Sequence, residues 1–337
     1  MAHRIAVVTG AGAGIGRATA RALGRAGFDV ALLGRNEERL AAAAEELEQS
    51  GVRTVHVAVD VADEAALDAA AEQVEEELGP ISIWVNCAGA TVVGPVVELD
   101  GADIRRATEV TYLGSVYGST AALRRMRRRG QGVIVNLALG PRLRGLPLQA
   151  AENGARSAVV GFCESLRAEI AHDGDRIRVV LVHLPSFNTP RFGWTKNLTG
   201  KRLRPPAPIF EPEVAGEAIC RAAFHSGEDM WVGLRGQITR AIDALAPRIV
   251  ASRRARRGYA AQLEKAPASD DAPANLDYSV AGALSAYGPF DIETKKATAL
   301  TPAFLGAPLP LGARLGLATL GVVSVLAGVW GWRKFKV

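Results

Sequence analysis

Through roughly the first 230 residues, short apolar runs alternate with amphipathic stretches rich in Ala, Glu and Arg. The apolar runs Ile5–Thr9, Asp29–Gly34, Val52–Asp60, Ile81–Asn86, Gly132–Leu137 and Arg176–Leu184 predict strands, and Met230–Val232 predicts a last one. Between them, Gly14–Gly27, Glu37–Gln49, Glu64–Leu78, Asp103–Arg128, Gln149–Ala171 and Pro212–His225 predict helices. Strands that are apolar throughout, rather than at alternate positions, are buried on both faces. Each is followed by a helix, so the pattern predicts an α/β fold: a doubly wound parallel sheet with helices on both faces, as one domain over residues 1–235. Ligands of such sheets sit at the carboxyl ends of the strands.

Beyond residue 235 the texture changes. Arg235–Glu264 reads as a helical arm carrying Arg248, Arg253, Arg254, Arg256 and Arg257, and a lipid headgroup surface is one partner such a cluster suits. Residues 265–310 are rich in Ala, Pro, Ser and Asp and read as a partly extended linker. Leu315–Trp332 is then 18 residues without a charge, bounded by Arg314 and by Arg333, Lys334 and Lys336. That length is near the minimum for a bilayer span, and Trp330, Trp332 and Phe335 stand where interfacial aromatics would lie. Residues 311–337 are therefore a candidate membrane-associated helix with a basic tail, on a domain expected in the cytoplasm because no secretory signal is read at the N-terminus.

Composition narrows the picture. The 337 residues are 48% hydrophobic and 22% charged, which excludes a disordered chain. Forty Lys and Arg against 35 Asp and Glu give only +5, with no interleaved aromatic platform, so nucleic acid is not an expected partner. Cys87, Cys163 and Cys220 are too far apart for a zinc site or a disulfide framework, and the five histidines show no metal spacing. Arg124, Arg125, Arg127, Arg128 and Arg129 read as a basic helix end, a place that welcomes cations.

The chemistry starts at Thr9-Gly10-Ala11-Gly12-Ala13-Gly14-Ile15-Gly16, between the first strand and the first helix. Small residues there let a pyrophosphate approach the backbone, and the helix start offers free N–H groups and a positive dipole end. Thr9, Gly10, Gly12, Gly14, Ile15 and Gly16 are thus candidate cofactor contacts. The second strand ends Leu33-Gly34-Arg35, where an NAD site would carry a carboxylate for the ribose hydroxyls. Arg35 instead presents a guanidinium fork suited to a 2′-phosphate, which favours NADP(H) over NAD(H).

With these motifs, Asp60-Val61 after the third strand, Asn86-Cys87-Ala88-Gly89 after the fourth and Pro185 to Thr189 after the sixth, the chain resembles the short-chain dehydrogenase/reductase family over residues 1–232. Arg144-Gly145-Leu146-Pro147-Leu148-Gln149 and the run His183–Trp194 resemble a bacterial subgroup with a C-terminal extension. The resemblance implies a Rossmann-like fold, with Asp60 and Val61 against the adenine and Asn86, Ala88 and Gly89 on the cofactor floor. It also implies Pro185 and Thr189 near the nicotinamide amide, and a homodimer or tetramer built on the helices Asp103–Arg128 and Gln149–Ala171.

The family's catalytic residues are where the resemblance fails. Members use an Asn, a Ser, and a Tyr followed four residues later by Lys. Thr111 stands at the Asn position, Leu139 at the Ser position, and Glu152 and Arg156 at the Tyr and Lys positions. A positioned general acid contributes about 10²–10⁴-fold. A carboxyl ionised near its reference pKa of about 4.3 cannot serve as one at neutral pH, and Arg156, four residues on along the same helix, favours the ionised form of Glu152. Three readings are compatible with the residues: an oxidoreductase passing hydride to an activated carbonyl or iminium, with Glu152 stabilising positive charge; an NADP-binding pseudoenzyme acting as sensor, scaffold or dimer partner; and a non-redox catalyst with Glu152 as base. The substrate is unspecified, although Phe187, Phe192 and Trp194 would suit an apolar lid over a lipophilic one. His183 reads as a strand-end residue, either packed or facing the pocket.

Overall fold

The structure, a computed structural model, describes residues 4–139, 145–233, 242, 245–269, 272–282 and 285–296. The central sheet has seven strands: β1 Ile5–Thr9, β2 Asp29–Gly34, β3 Thr54–Ala58, β4 Ile81–Asn86, β5 Gln131–Leu139, β6 Arg176–Leu184 and β7 Asp229–Trp231. Their order is β7-β6-β5-β4-β1-β2-β3, and every pairing is parallel. The winding direction reverses between β1 and β4, which opens a crevice at the ends of these two strands.

The helices are α1 Gly14–Arg25, α2 Glu37–Glu48, α3 Glu64–Glu77, α4 Gly101–Thr108, α5 Gly114–Arg127, α6 Ala150–Asp173, α7 Pro212–Ala222 and α8 Pro247–Arg257. Successive residues of a strand face opposite sides. Ala6 and Val8 of β1 accordingly join the core under α1, α2 and α7, while Ile5 and Val7 join the core under α3, α5 and α6. Both faces being covered is why the strands carry no polar alternation. Local signals set the ends: Asn36 caps α2 by accepting from the Arg39 amide at 2.9 Å, and Gly174 takes a left-handed φ of 73° to close α6.

Three expectations need correction. The single helix expected over Asp103–Arg128 is α4 and α5 joined by a π-helical turn, Glu109–Leu113. That turn lets the Thr111 side chain reach across to Ala90, an interaction periodicity does not encode. Of the arm expected over Arg235–Glu264, the described helix is Pro247–Arg257, residues 234–241 lie outside the described residues, and Gly258 packs so closely on Pro147 that a Cβ would lie 2.7 Å from the ring. Residues 265–296 do not behave as a linker where they are described. Leu263–Pro267 pairs with Lys201–Leu203, and Thr294–Lys295 pairs with Ile209–Phe210. The basic run at the end of α5 is also less free than its composition implies: Arg125 pairs with Asp68 at 2.6 Å, and Arg129, just past the helix, with Glu75 at 2.8 Å.

The chain divides into two units, Met1–Thr301 and Pro302–Val337. The candidate membrane segment Leu315–Trp332 lies outside the described residues. Among the described residues, no helix is long and apolar enough to cross a membrane.

Candidate active site

A cavity of about 300 Å³ opens at the carboxyl ends of the strands, along the crevice between β1 and β4. Gly10, Gly12, Gly14, Ile15, Gly16, Arg35, Asp60, Val61, Ala88, Gly89, Glu152, Arg156, Pro185 and Thr189, all expected from the sequence, line it. Two glycines show why the loop tolerates no larger residue. Gly10 has φ of +68°, and a Cβ on it would stand 2.9 Å from the Ala88 Cα. A Cβ on Gly16 would stand 2.1 Å from the Gly10 carbonyl oxygen, so the first turn of α1 could not approach the loop.

Other expected residues act beneath this surface. Thr9 is buried, and its hydroxyl accepts from the amides of Cys87 at 3.0 Å and Ala88 at 3.1 Å, tying β1 to the loop after β4. Asn86 was expected on the cavity floor; it lies below it. Its carbonyl oxygen accepts from the Trp84 indole at 2.7 Å, and its amide donates to Asn136 at 2.9 Å and Ser119 at 3.0 Å. Thr111 is fully buried, accepting from the Ala90 amide and donating to the Ala90 carbonyl, both at 3.0 Å. It therefore holds the loop after Gly89 and does not face the cavity. Leu139 ends β5 opposite Leu184, and its side chain lies outside the described residues. His183 packs rather than lining the cavity: it is stacked on Trp231 at 3.6 Å between ring centroids.

The inner end of the cavity is charged. Glu152 is buried, with 3% of its side chain exposed, and Arg191 grips both carboxylate oxygens, one at 3.0 Å. Arg156 Nε stands 4.0 Å away from the same carboxylate. Burial pushes the Glu152 carboxyl up, but the charge and hydrogen bonds of Arg191, then Arg156 and Thr91, outweigh it and hold it below the usual carboxylate range. Glu152 is therefore an anion, as Arg156 alone led one to expect, and Arg191 is the larger reason. Arg156 donates to the Leu137 carbonyl at 3.0 Å, and its Nε has no hydrogen-bond partner among the described residues. A Cβ on Gly89 would lie 2.6 Å from Arg156 Nη2, so that glycine admits the guanidinium. Burial pushes the Cys87 thiol up to about 12, which removes it as a thiolate nucleophile.

Sequence reasoning missed Arg191, Arg39 and Arg106. The signal for Arg191 was physical: a carboxylate at a candidate site needs a counter-charge, and this arginine follows Thr189 by two residues. Arg39 lies over the Trp194 ring at 5.0 Å, while Arg106 pairs with Asp60, which was expected beside the adenine. Phe187, Phe192 and Trp194 all line the cavity, and Phe187 is also buried in the core against Phe210.

Comparison with known proteins accounts for this arrangement. A profile of the family described as short chain dehydrogenase matches residues 4–197. The chain is 31% identical to the Bacillus subtilis protein named uncharacterized oxidoreductase YxnA over 248 residues, 73% of this chain and 70% of that one. It is 29% identical to bovine 3-ketodihydrosphingosine reductase, covering 68% and 71% of the two chains. Among solved structures, a short-chain dehydrogenase from Streptomyces avermitilis superposes with a TM-score of 0.63 at 25% identity, over 77% of this chain and 98% of that one. A metagenomic short-chain oxidoreductase in complex with NADP gives 0.58 at 25% identity, over 68% and 96%. The glycine loop, the reversal between β1 and β4 and the position of the cavity are features of one inherited scaffold, and this chain belongs to the short-chain dehydrogenase family.

Proposed function

We propose that the protein is an NADP(H)-dependent oxidoreductase whose reacting centre is the Arg191–Glu152–Arg156 cluster. The reading rests first on the family, whose relatives include proteins named as oxidoreductases and a structure holding NADP. The cavity residues fit a dinucleotide: the absence of Cβ atoms at Gly10 and Gly16 leaves a backbone cradle at the start of α1. When bound, the nicotinamide would supply or accept the hydride. Thr189 stands beside Gly14, at the inner side of that cradle, where it would orient the ring amide. Arg156, with an unpartnered buried Nε, would bind the adjoining ribose.

The observation that carries the chemical reading is the ionised, doubly gripped Glu152. It has no proton to deliver at neutral pH. It is also already neutralised, which argues against the idea that it stabilises an iminium. Two guanidiniums against one carboxylate leave one positive charge in excess at this end of the cavity. That sign suits an activated carbonyl, whose oxygen becomes an alkoxide as hydride arrives at carbon. Arg156 and Arg191 would stabilise the developing charge through hydrogen bonds, and solvent would complete the alcohol. Arg156 and Arg191 cannot act as tunable acids, because a guanidinium stays protonated.

The test is a fluorescence titration with NADPH, followed by a panel of carbonyl and imine substrates. Turnover of electron-poor carbonyls, lost on Arg156→Met with NADPH binding weakened but still measurable, is the expected result. Binding without turnover of any substrate would support the second reading, a dinucleotide-binding pseudoenzyme. That reading is favoured by the absence of a proton donor among Glu152, Arg156 and Thr111. Failure to bind either NADPH or NADH would overturn both.

A further inference from the structure

The C-terminal extension crosses the outer end of the same cavity. Residues 272–282 run over Arg35 and Arg39, and Asn275 and Ser279 join the cavity wall. Both terminal nitrogens of Arg35 donate to this strap. Nη1 donates to the carbonyls of Leu276 at 3.1 Å and Asp277 at 2.9 Å. Nη2 donates to the carbonyl of Asn275 at 2.8 Å and to its side-chain oxygen at 3.2 Å. Arg39 donates to the carbonyls of Gly282, at 3.0 Å, and Val280. Arg106 Nε reaches the Leu276 carbonyl at 3.3 Å. Leu276 itself is buried with Val92, Ala107 and Ala151.

A guanidinium offers five N–H groups in one plane, and a phosphate takes two of them from one edge. Here the two Nη atoms already face four oxygens of the protein's own chain. A 2′-phosphate brought to that fork would meet oxygen against oxygen. A ribose 2′-hydroxyl would not, since it can donate to a carbonyl.

We infer that residues 275–277 are a specificity element of the cofactor site: docked on Arg35 they exclude the 2′-phosphate, so NADP(H) binds only as the strap lifts from Arg35. The inference rests on the dinucleotide reading above and deepens it. The strap can lift locally because it is held independently on either side. Before it, Leu263–Pro267 pairs with Lys201–Leu203. After it, Tyr287 donates to Glu213 at 2.5 Å, Asn188 donates to Asp291 at 2.7 Å, and Thr294–Lys295 pairs with Ile209–Phe210. Affinity for the 2′-phosphate and strap docking are then reciprocally coupled through one side chain.

The experiment is hydrogen exchange of the full chain across 275–282, with NADPH and with NADH, alongside binding titrations of wild type and Leu276→Ala. NADPH should raise exchange in this segment and NADH should not. Removing the apolar anchor with Leu276→Ala should tighten NADPH roughly tenfold, within the usual range for such couplings, and leave NADH within about twofold. Should Leu276→Ala fold poorly, Asn275→Ala, which deletes one acceptor, should move NADPH the same way by a smaller factor. Protection of the segment by NADPH, unchanged exchange, or no gain in NADPH affinity would each overturn the inference. NADH binding with no NADPH binding in any variant would sink the strap exchange and leave the dinucleotide site standing. Loss of both would remove the cofactor reading itself.

Discussion

Replacing Glu152 by Gln keeps the shape of the side chain and removes its charge. The structure sets the size of the effect. Glu152 is 3% exposed and is the carboxylate shared by Arg191 and Arg156. Removing one partner of a buried ion pair costs about 3–5 kcal/mol, because the remaining charge is left in a poorly solvated place. Gln still offers one acceptor, and Arg191 keeps 34% of its side chain exposed, so the low end, about 3 kcal/mol, applies. At roughly 2–4 °C per kcal/mol for a domain of this size class, the melting temperature at pH 7 should fall by about 6–12 °C. The pH dependence carries the sign. The folded carboxyl is held below its ordinary value, so its stabilisation is present above about pH 4.5 and is lost as pH falls towards the depressed folded value. The gap between wild type and Glu152→Gln should therefore be constant near neutrality and narrow progressively below about pH 4.5. Urea unfolding by circular dichroism at pH 7 and pH 3.5 measures both. An equal stability at pH 7, or a gap as wide at pH 3.5 as at pH 7, would refute the assignment of Glu152 as a paired anion. The double variant Glu152→Gln/Arg191→Met should lose less than the sum of the singles, since the two side chains act on one another.

Three further outcomes follow from the same geometry. Gly16→Ala should abolish dinucleotide binding in a fluorescence titration, as its Cβ would stand 2.1 Å from the Gly10 oxygen; unchanged affinity would mean the cradle is not used. Thr111→Val leaves the Ala90 amide and carbonyl without their 3.0 Å partners and should cost about 1–3 kcal/mol by urea unfolding, while Thr111→Ser should restore most of it. Cys87, whose thiol is pushed up to about 12, should resist a thiol-specific reagent in the native protein at pH 8 and react once unfolded; rapid native labelling would contradict that shift.

The two ends of the cavity are built differently. The glycine loop is fixed by backbone contacts, so few residues satisfy it. The inner end depends on side chains from α6 and from the segment after β6, brought together by Glu152 and Arg191, 39 positions apart in the chain.

Much of this protein was determined by sequence alone. The apolar runs and the helices between them define a parallel sheet because buried strands need no polar alternation, and the bounds of β1, β2, β4 and β6 coincide with the runs that predict them. The glycine loop and Arg35 were legible as candidates, and both line the cavity, because steric and charge requirements there are local. What depended on distant partners was not legible. Asn86 sits in a motif that reads as cavity floor, yet its amide belongs to a buried network with Asn136 and Ser119 from other elements. Arg191 reads as a loop charge until the fold sets it on Glu152. Residues 272–282 read as linker because Ala, Pro, Ser and Asp carry no period, and only the tertiary structure lays their carbonyls on Arg35. Periodicity reports which face of an element is buried. Which charge meets which, and whose oxygen fills a guanidinium fork, is decided by contacts between residues as much as 243 positions apart.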